Sequence, residues 1–139
     1  MRNLKCFLSL ILIFVIFSAS TVFAAARASE QIDIYDIDVA TIGSGDIAIK
    51  FSVTGNGRMS CLGAESIYIY ERIGTAWVLA DSYDSEDPGM TASNVAKYGT
   101  TKYFYGTAGT EYKIDVTIFA EDMNGNSDSR SKTFTITAR

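Results

Sequence analysis

Apolar and polar residues alternate through most of the chain after residue 29. In "DIAIKFSV", Ile47, Ile49, Phe51 and Val53 share one face, and Ala48, Lys50 and Ser52 take the other. "SIYIYE" sets Ile67 and Ile69 against Tyr68 and Tyr70. "EYKIDVTIFA" sets Tyr112, Ile114, Val116 and Ile118 against Lys113, Asp115 and Thr117. "KTFTIT" sets Phe134 and Ile136 against three threonines. A period of two with one polar face predicts strands packed on one side only. Weaker strands are expected over "QIDIYDIDVA", "AWVLAD" and "TKYFYG", with a further short one near "NVAKY". About seven strands predict an all-β fold, a seven-stranded antiparallel β-sandwich. Its expected core includes Ile49, Phe51, Ile69, Ile114, Val116, Ile118 and Phe134.

The punctuation agrees with the strands. "GSGD", "RIGTA", "GTAGTE" and "MNGNSDS" fall between them, and glycine and asparagine supply the positive φ values of tight turns. The single proline, Pro88, lies in "SYDSEDPGMTASN", the longest stretch expected to be irregular.

The N terminus breaks the pattern. Arg2 and Lys5 precede an apolar run, "CFLSLILIFVIF", and small residues follow in "SASTVFAAARASE". This is the three-part form of a secretory signal, with cleavage expected after residue 26 or residue 28. Residues 1–28 are thus read as a signal peptide and residues 29–139 as one domain, secreted or at the cell surface. Cys6 precedes the apolar core, so it is not placed for lipid attachment. Removing 28 of 139 residues leaves 111, with Cys61 the only cysteine. That excludes a disulfide scaffold; a monomer is expected, with a Cys61-linked dimer as the alternative.

Charge narrows the partners. Three of the twelve basic residues precede Ser29, leaving nine against sixteen acidic ones, a net charge of −7. An acidic surface disfavours nucleic acid. No membrane contact is expected once the signal is removed.

The segment "GTEYKIDVTIFAEDMNGNSDSRSKTFTIT" resembles the last two strands of fibronectin type III domains, over residues 106–137. In that family a tight turn leads into alternating apolar residues, a small residue, a polar loop and a threonine-rich final strand. The resemblance implies an immunoglobulin-like sandwich. It places Tyr112 at the tyrosine corner, whose hydroxyl closes one edge through a backbone hydrogen bond, and Ala120 at the small position near the strand end. The family's proline-rich opening is missing, and Phe51 stands where a buried tryptophan is usual. The mature chain also resembles small exported proteins of Gram-positive bacteria with a "GSGDI", "FSVTG" and "GTAGTEY" layout. That likeness implies a compartment and a fold but no activity.

Catalysis is not expected. Without histidine there is no imidazole base or metal ligand, and neither "S-x-x-K" nor "G-x-S-x-G" occurs. A small carboxylate-dependent hydrolase remains as an alternative, needing two carboxylates to converge. No cofactor is expected apart from calcium, at two candidate sites. Asp122, Asn124, Asn126 and Asp128 have the spacing of calcium-loop oxygens, but Ser127 stands where glycine belongs and Thr133 where the closing glutamate belongs. Asn124 and Gly125 also form a preferred hairpin turn. Asp81, Asp84, Glu86 and Asp87 put four carboxylates in seven residues, which makes a calcium-stabilised adhesion module a second alternative. Tyr68 and Tyr70 are the candidate partner face, suited to a protein or a glycan. Trp77 is expected to serve packing. The main expectation is a non-catalytic binding or structural domain.

Overall fold

The computed structural model describes residues 31–139. The expected signal peptide, both cleavage positions and Cys6 lie outside those residues. Six strands form: β1 (Ile32–Gly43), β2 (Asp46–Ile73), β3 (Ala76–Asp84), β4 (Thr91–Tyr105), β5 (Glu111–Glu121) and β6 (Ser127–Thr137). All are hydrogen-bonded into one antiparallel sheet, with no helix among the described residues.

β2 organises the sheet. Its 28 residues would reach about 90 Å if straight, far beyond a domain of this size. It must therefore bend. On one edge it pairs first with β1, through residues 46–55, and then with β5, through residues 61–71. On the other edge it pairs with β4 through residues 46–63 and with β3 through residues 66–73. β6 extends the sheet beyond β5. The bend lies in "TGNGRM", where the register with β4 slips between Thr54 and Met59 and Gly57 adopts a φ of 106°. The sheet curls there, so that the half containing β1, β2 and β4 faces the half containing β3, β2, β5 and β6.

The core lies inside the curl. Ile37 of β1 meets Ile47, Ile49, Phe51 and Val53 from the first half of β2. Leu62, Ala64, Ile67 and Ile69 come from its second half, and Tyr112, Ile114, Val116, Ile118 and Ala120 from β5. None of these is more than 2% exposed. Burying one such isoleucine or phenylalanine contributes about 1.5–3 kcal/mol relative to leaving it in water. Phe134 and Ile136 face the same way from β6 but are only half-buried, because β6 lies at the rim of the sheet. Phe134 is therefore peripheral, not central as expected.

Two glycines show why the chain closes where it does. Gly45, with a φ of 86°, has no room for a side chain: a Cβ would lie 2.6 Å from Ala108 N and Gly106 O. Its N–H donates to Arg139 O at 2.8 Å, which ties the first turn to the C terminus. Gly63, with a φ of 149°, runs against the start of β4: a Cβ would overlap Met90 O and lie 2.8 Å from Thr91 Cα. The neighbouring Ala64 N–H donates to Met90 O, and the Met90 side chain is fully buried.

Strand boundaries depart from expectation in three places. "DIAIKFSV" and "SIYIYE" belong to one strand, so the count is six and not seven. "NVAKY" and "TKYFYG" likewise belong to one strand, β4. The acidic stretch is mostly strand, with only residues 85–90 between β3 and β4.

Candidate functional site

The first acidic cluster is a self-capped turn. Asp84 Oδ1 accepts from Glu86 N–H at 2.9 Å, and Asp87 Oδ2 accepts from Asp84 N–H at 2.8 Å. Asp81 Oδ1 accepts from Ser82 N–H at 2.8 Å. β4 clamps the loop from the side: Tyr98 donates its hydroxyl to Gly89 O at 2.8 Å, and Lys102 Nζ donates to Pro88 O. Asp81 pairs opposite Ile69 and so lies on the inner face of β3, away from the turn. Beside it, burial pushes the Tyr83 phenol above its ordinary range, and the charge and hydrogen bond of Asp81 add to that.

The second candidate, residues 122–128, also satisfies itself. Asp122 Oδ1 accepts from the backbone N–H groups of Asn124 at 2.8 Å and Asn126 at 3.0 Å. Its Oδ2 accepts from Asn126 Nδ2 at 3.0 Å and from Gln31 Nε2 at 3.4 Å. Asp128 Oδ2 accepts from Gln31 N–H at 2.9 Å, so this loop also anchors the start of β1. The Asn126 side chain, with the backbone N–H groups of Asn126 and Asn124, holds the Asp122 carboxyl below the usual carboxylate range. This is how Asp organises a turn through its own backbone.

Both loops lie at one end of the sheet, on opposite sides of β2, because Cys61 pairs with Glu121 on one edge and Ser93 on the other. They do not converge. Among the described residues no group of three or more acidic or cysteine side chains is placed to hold a metal. Cys61 itself is half-buried.

The outer face of the second half is different. Register places Tyr68, Tyr70 and Arg72 of β2 beside Ser82, Leu79 and Trp77 of β3. On the other side, Asp115 and Lys113 of β5 lie beside Tyr68 and Tyr70. A bulge at Ala80 makes this possible: it keeps Leu79 on the outer face next to Tyr70 and turns Asp81 inward. The Lys113 ammonium lies 4.5 Å from the Tyr70 ring and 5.6 Å from the Trp77 ring. The Arg72 guanidinium lies 5.1 Å from the Trp77 ring and pairs with Glu111 at 3.4 Å. Lys113 thus lies against both the Tyr70 and Trp77 rings, which are half-buried, while Tyr68 stays 42% and Leu79 53% exposed.

Tyr68 and Tyr70 are thus brought together as the sequence suggested, with Trp77 beside them instead of in the packing. Leu79, Arg72 and Lys113 were missed. A turn at Gly74 and Thr75 pairs Ile73 with Ala76, and counting outward from it reaches Arg72 with Trp77. Lys113 had no such signal, since it depends on β5 lying next to β2. Tyr103 and Tyr105 belong elsewhere, opposite Ala48 and Asp46 on the first half of the sheet. That half also carries a shallow cleft of about 430 Å³ between Lys50 and Lys97, floored by Gly99 and Ser52. Lys50 there lies 3.9 Å from Asp36.

Compared with protein-family models and with curated proteins, the chain matches none.

Proposed function

We propose that this chain is an exported, non-catalytic domain that binds a protein or a glycan through the outer face of β2, β3 and β5. The observation that carries this reading is the outward row of exposed Tyr68 and Leu79 with half-buried Tyr70 and Trp77, Arg72 and Lys113 lying over the last two rings. Flat aromatic surface of this kind, with polar groups at its margin, suits stacking on a sugar or burial under a partner side chain.

The fold reading is a fibronectin type III or immunoglobulin-like sandwich whose second and third strands are continuous. Supporting it, the two halves of β2 counted separately give three strands in one layer and four in the other. Tyr112 is buried with its hydroxyl on the backbone, and Ala120 is buried near the end of β5. Export rests on the signal pattern in residues 1–28. A calcium-stabilised module and a carboxylate hydrolase have less support, because the loop carboxylates are engaged with their own backbone.

The test is a screen of the purified protein against a glycan array and defined cell-wall polysaccharides, beside Tyr68→Ala and Tyr70→Ala variants. We expect a reproducible ligand whose affinity falls about tenfold or more in each variant, roughly 1.4 kcal/mol. A ligand bound equally well by both variants would overturn the site.

A further inference from the structure

We propose that two copies of this chain pair through the free edges of β3, antiparallel and centred on Val78, to form a continuous sheet across a two-fold axis. Among the described residues β3 hydrogen-bonds only to β2, so there its other edge offers an unpaired row of N–H and C=O groups. Exposed edges of this kind are usually blunted by lysine, proline or an inward charge. β4, which also has a free edge, carries Lys97 and Lys102 along it. The edge of β1 is partly covered, since Lys132 Nζ donates to Ile37 O at 3.1 Å. In β3 the stretch "AWVLA", residues 76–80, has no charge and no proline, and Val78 and Leu79 are 45% and 53% exposed. The bulge at Ala80 and the inward Asp81 close off only its far end.

The occupant follows from the order of side chains. A two-fold interface requires that if one residue meets another, the second also meets the first. "AWVLA" runs small, large, β-branched, large, small. Antiparallel pairing about Val78 sets Val78 against its own copy, Trp77 against Leu79 twice, and Ala76 against Ala80 twice. The Trp77 and Leu79 pairs join two large apolar residues on one face, and the bulged Ala80 marks the end of the pairing. Trp77 and Leu79 are both outward, and Val78 points to the inner side with Glu71. Charge points the same way. The whole chain has a net charge of −4, so two copies repel unless they meet through a neutral segment. A basic partner would find no counter-charge within residues 76–80. The pairing replaces the monomer expected from sequence, does not rest on the ligand-binding reading, and would set two aromatic faces side by side.

The measurement is sedimentation equilibrium of the purified protein from about 10 µM to about 1 mM, the range of a small, weak interface. The average mass should rise towards twice the monomer in the wild type and stay at the monomer in Val78→Lys. Val78 lies off the outer face, so this variant separates dimer formation from loss of the ligand site. Circular dichroism checks that it folds. Cysteine substitution supplies a second readout in a Cys61→Ser background. Opposed residues lie about 4.5–5.5 Å apart at Cα, within disulfide reach. Val78→Cys should cross-link under mild oxidation. Ala76→Cys should not, because its two copies are offset by four residues, roughly 13 Å. A wild type that stays monomeric throughout, with no Val78→Cys cross-link, overturns the proposal. So does a dimer that Val78→Lys leaves intact.

Discussion

The Tyr112 hydroxyl accepts a hydrogen bond of 2.9 Å from the backbone N–H of Thr107, five residues upstream. The β4–β5 turn therefore wraps around its own ring. Phe104 meets that ring edge-on at 5.1 Å, and a Cβ on Gly106 would lie 3.0 Å from it. Tyr112→Phe keeps the ring and removes the acceptor. We expect a loss of about 1 kcal/mol in urea unfolding, the scale of one hydrogen bond left unmade. An unchanged midpoint would mean that water serves Thr107 equally well.

Gly63 tests the contact between β2 and the start of β4. Gly63→Ala must push β4 away as well as strain the backbone, because Met90 O occupies the space of the new methyl group. The expected cost is at least about 2 kcal/mol. Gly109→Ala is the control: it has a φ of 85° but nothing within 4 Å of its Cβ. It should cost only about 1 kcal/mol, from φ alone. Equal thermal shifts in the two variants would argue against the close approach at Gly63.

The lowered pKa of Asp122 has a defined sign. Its folded value lies below its unfolded one. Its contribution to stability is therefore present above the ordinary carboxylate range and is lost as pH falls through the lowered folded value. NMR titration should find Asp122 among the last carboxylates to take up a proton. Asn126→Ala should raise its pKa, since the Asn126 side chain is the first cause of the shift. Titration unaffected by that substitution would point to Gln31 or the backbone instead.

Calcium provides another check on the same loops. Asp84, Asp87, Asp122 and Asp128 already accept hydrogen bonds from the residues around them, and a metal would have to displace those. A thermal melt in excess EDTA and one in calcium of about a few millimolar, at fixed ionic strength, should coincide. A rise lost on changing Asp84 and Glu86 to Asn and Gln would place a metal in the β3–β4 loop. A rise lost on changing Asp122 and Asp128 to Asn would place it in the hairpin.

The inward faces were legible because alternation is local. The pleat sends successive side chains to opposite sides wherever a strand forms, so Ile47, Ile49, Phe51 and Val53 had to share a face, as did Ile114, Val116 and Ile118. The turn at Asn124 and Gly125 was equally local, since Asp122 accepts the hydrogen bonds of Asn124 and Asn126 that shape it.

What the tertiary structure decided depended on partners far away in sequence. Gly55 and Gly57 permit either a chain reversal or a bend. β4 decides for the bend by pairing with β2 on both sides of it. The acidic stretch reads as a loop from its charge, yet β3 continues to Asp84 because Tyr83 pairs opposite Ile67 at the rim of the core. Tyr68 and Tyr70 were visible as an outward pair. That Trp77 and Lys113 join them follows from β3 and β5 taking opposite edges of β2, a choice that alternation within any one strand does not encode.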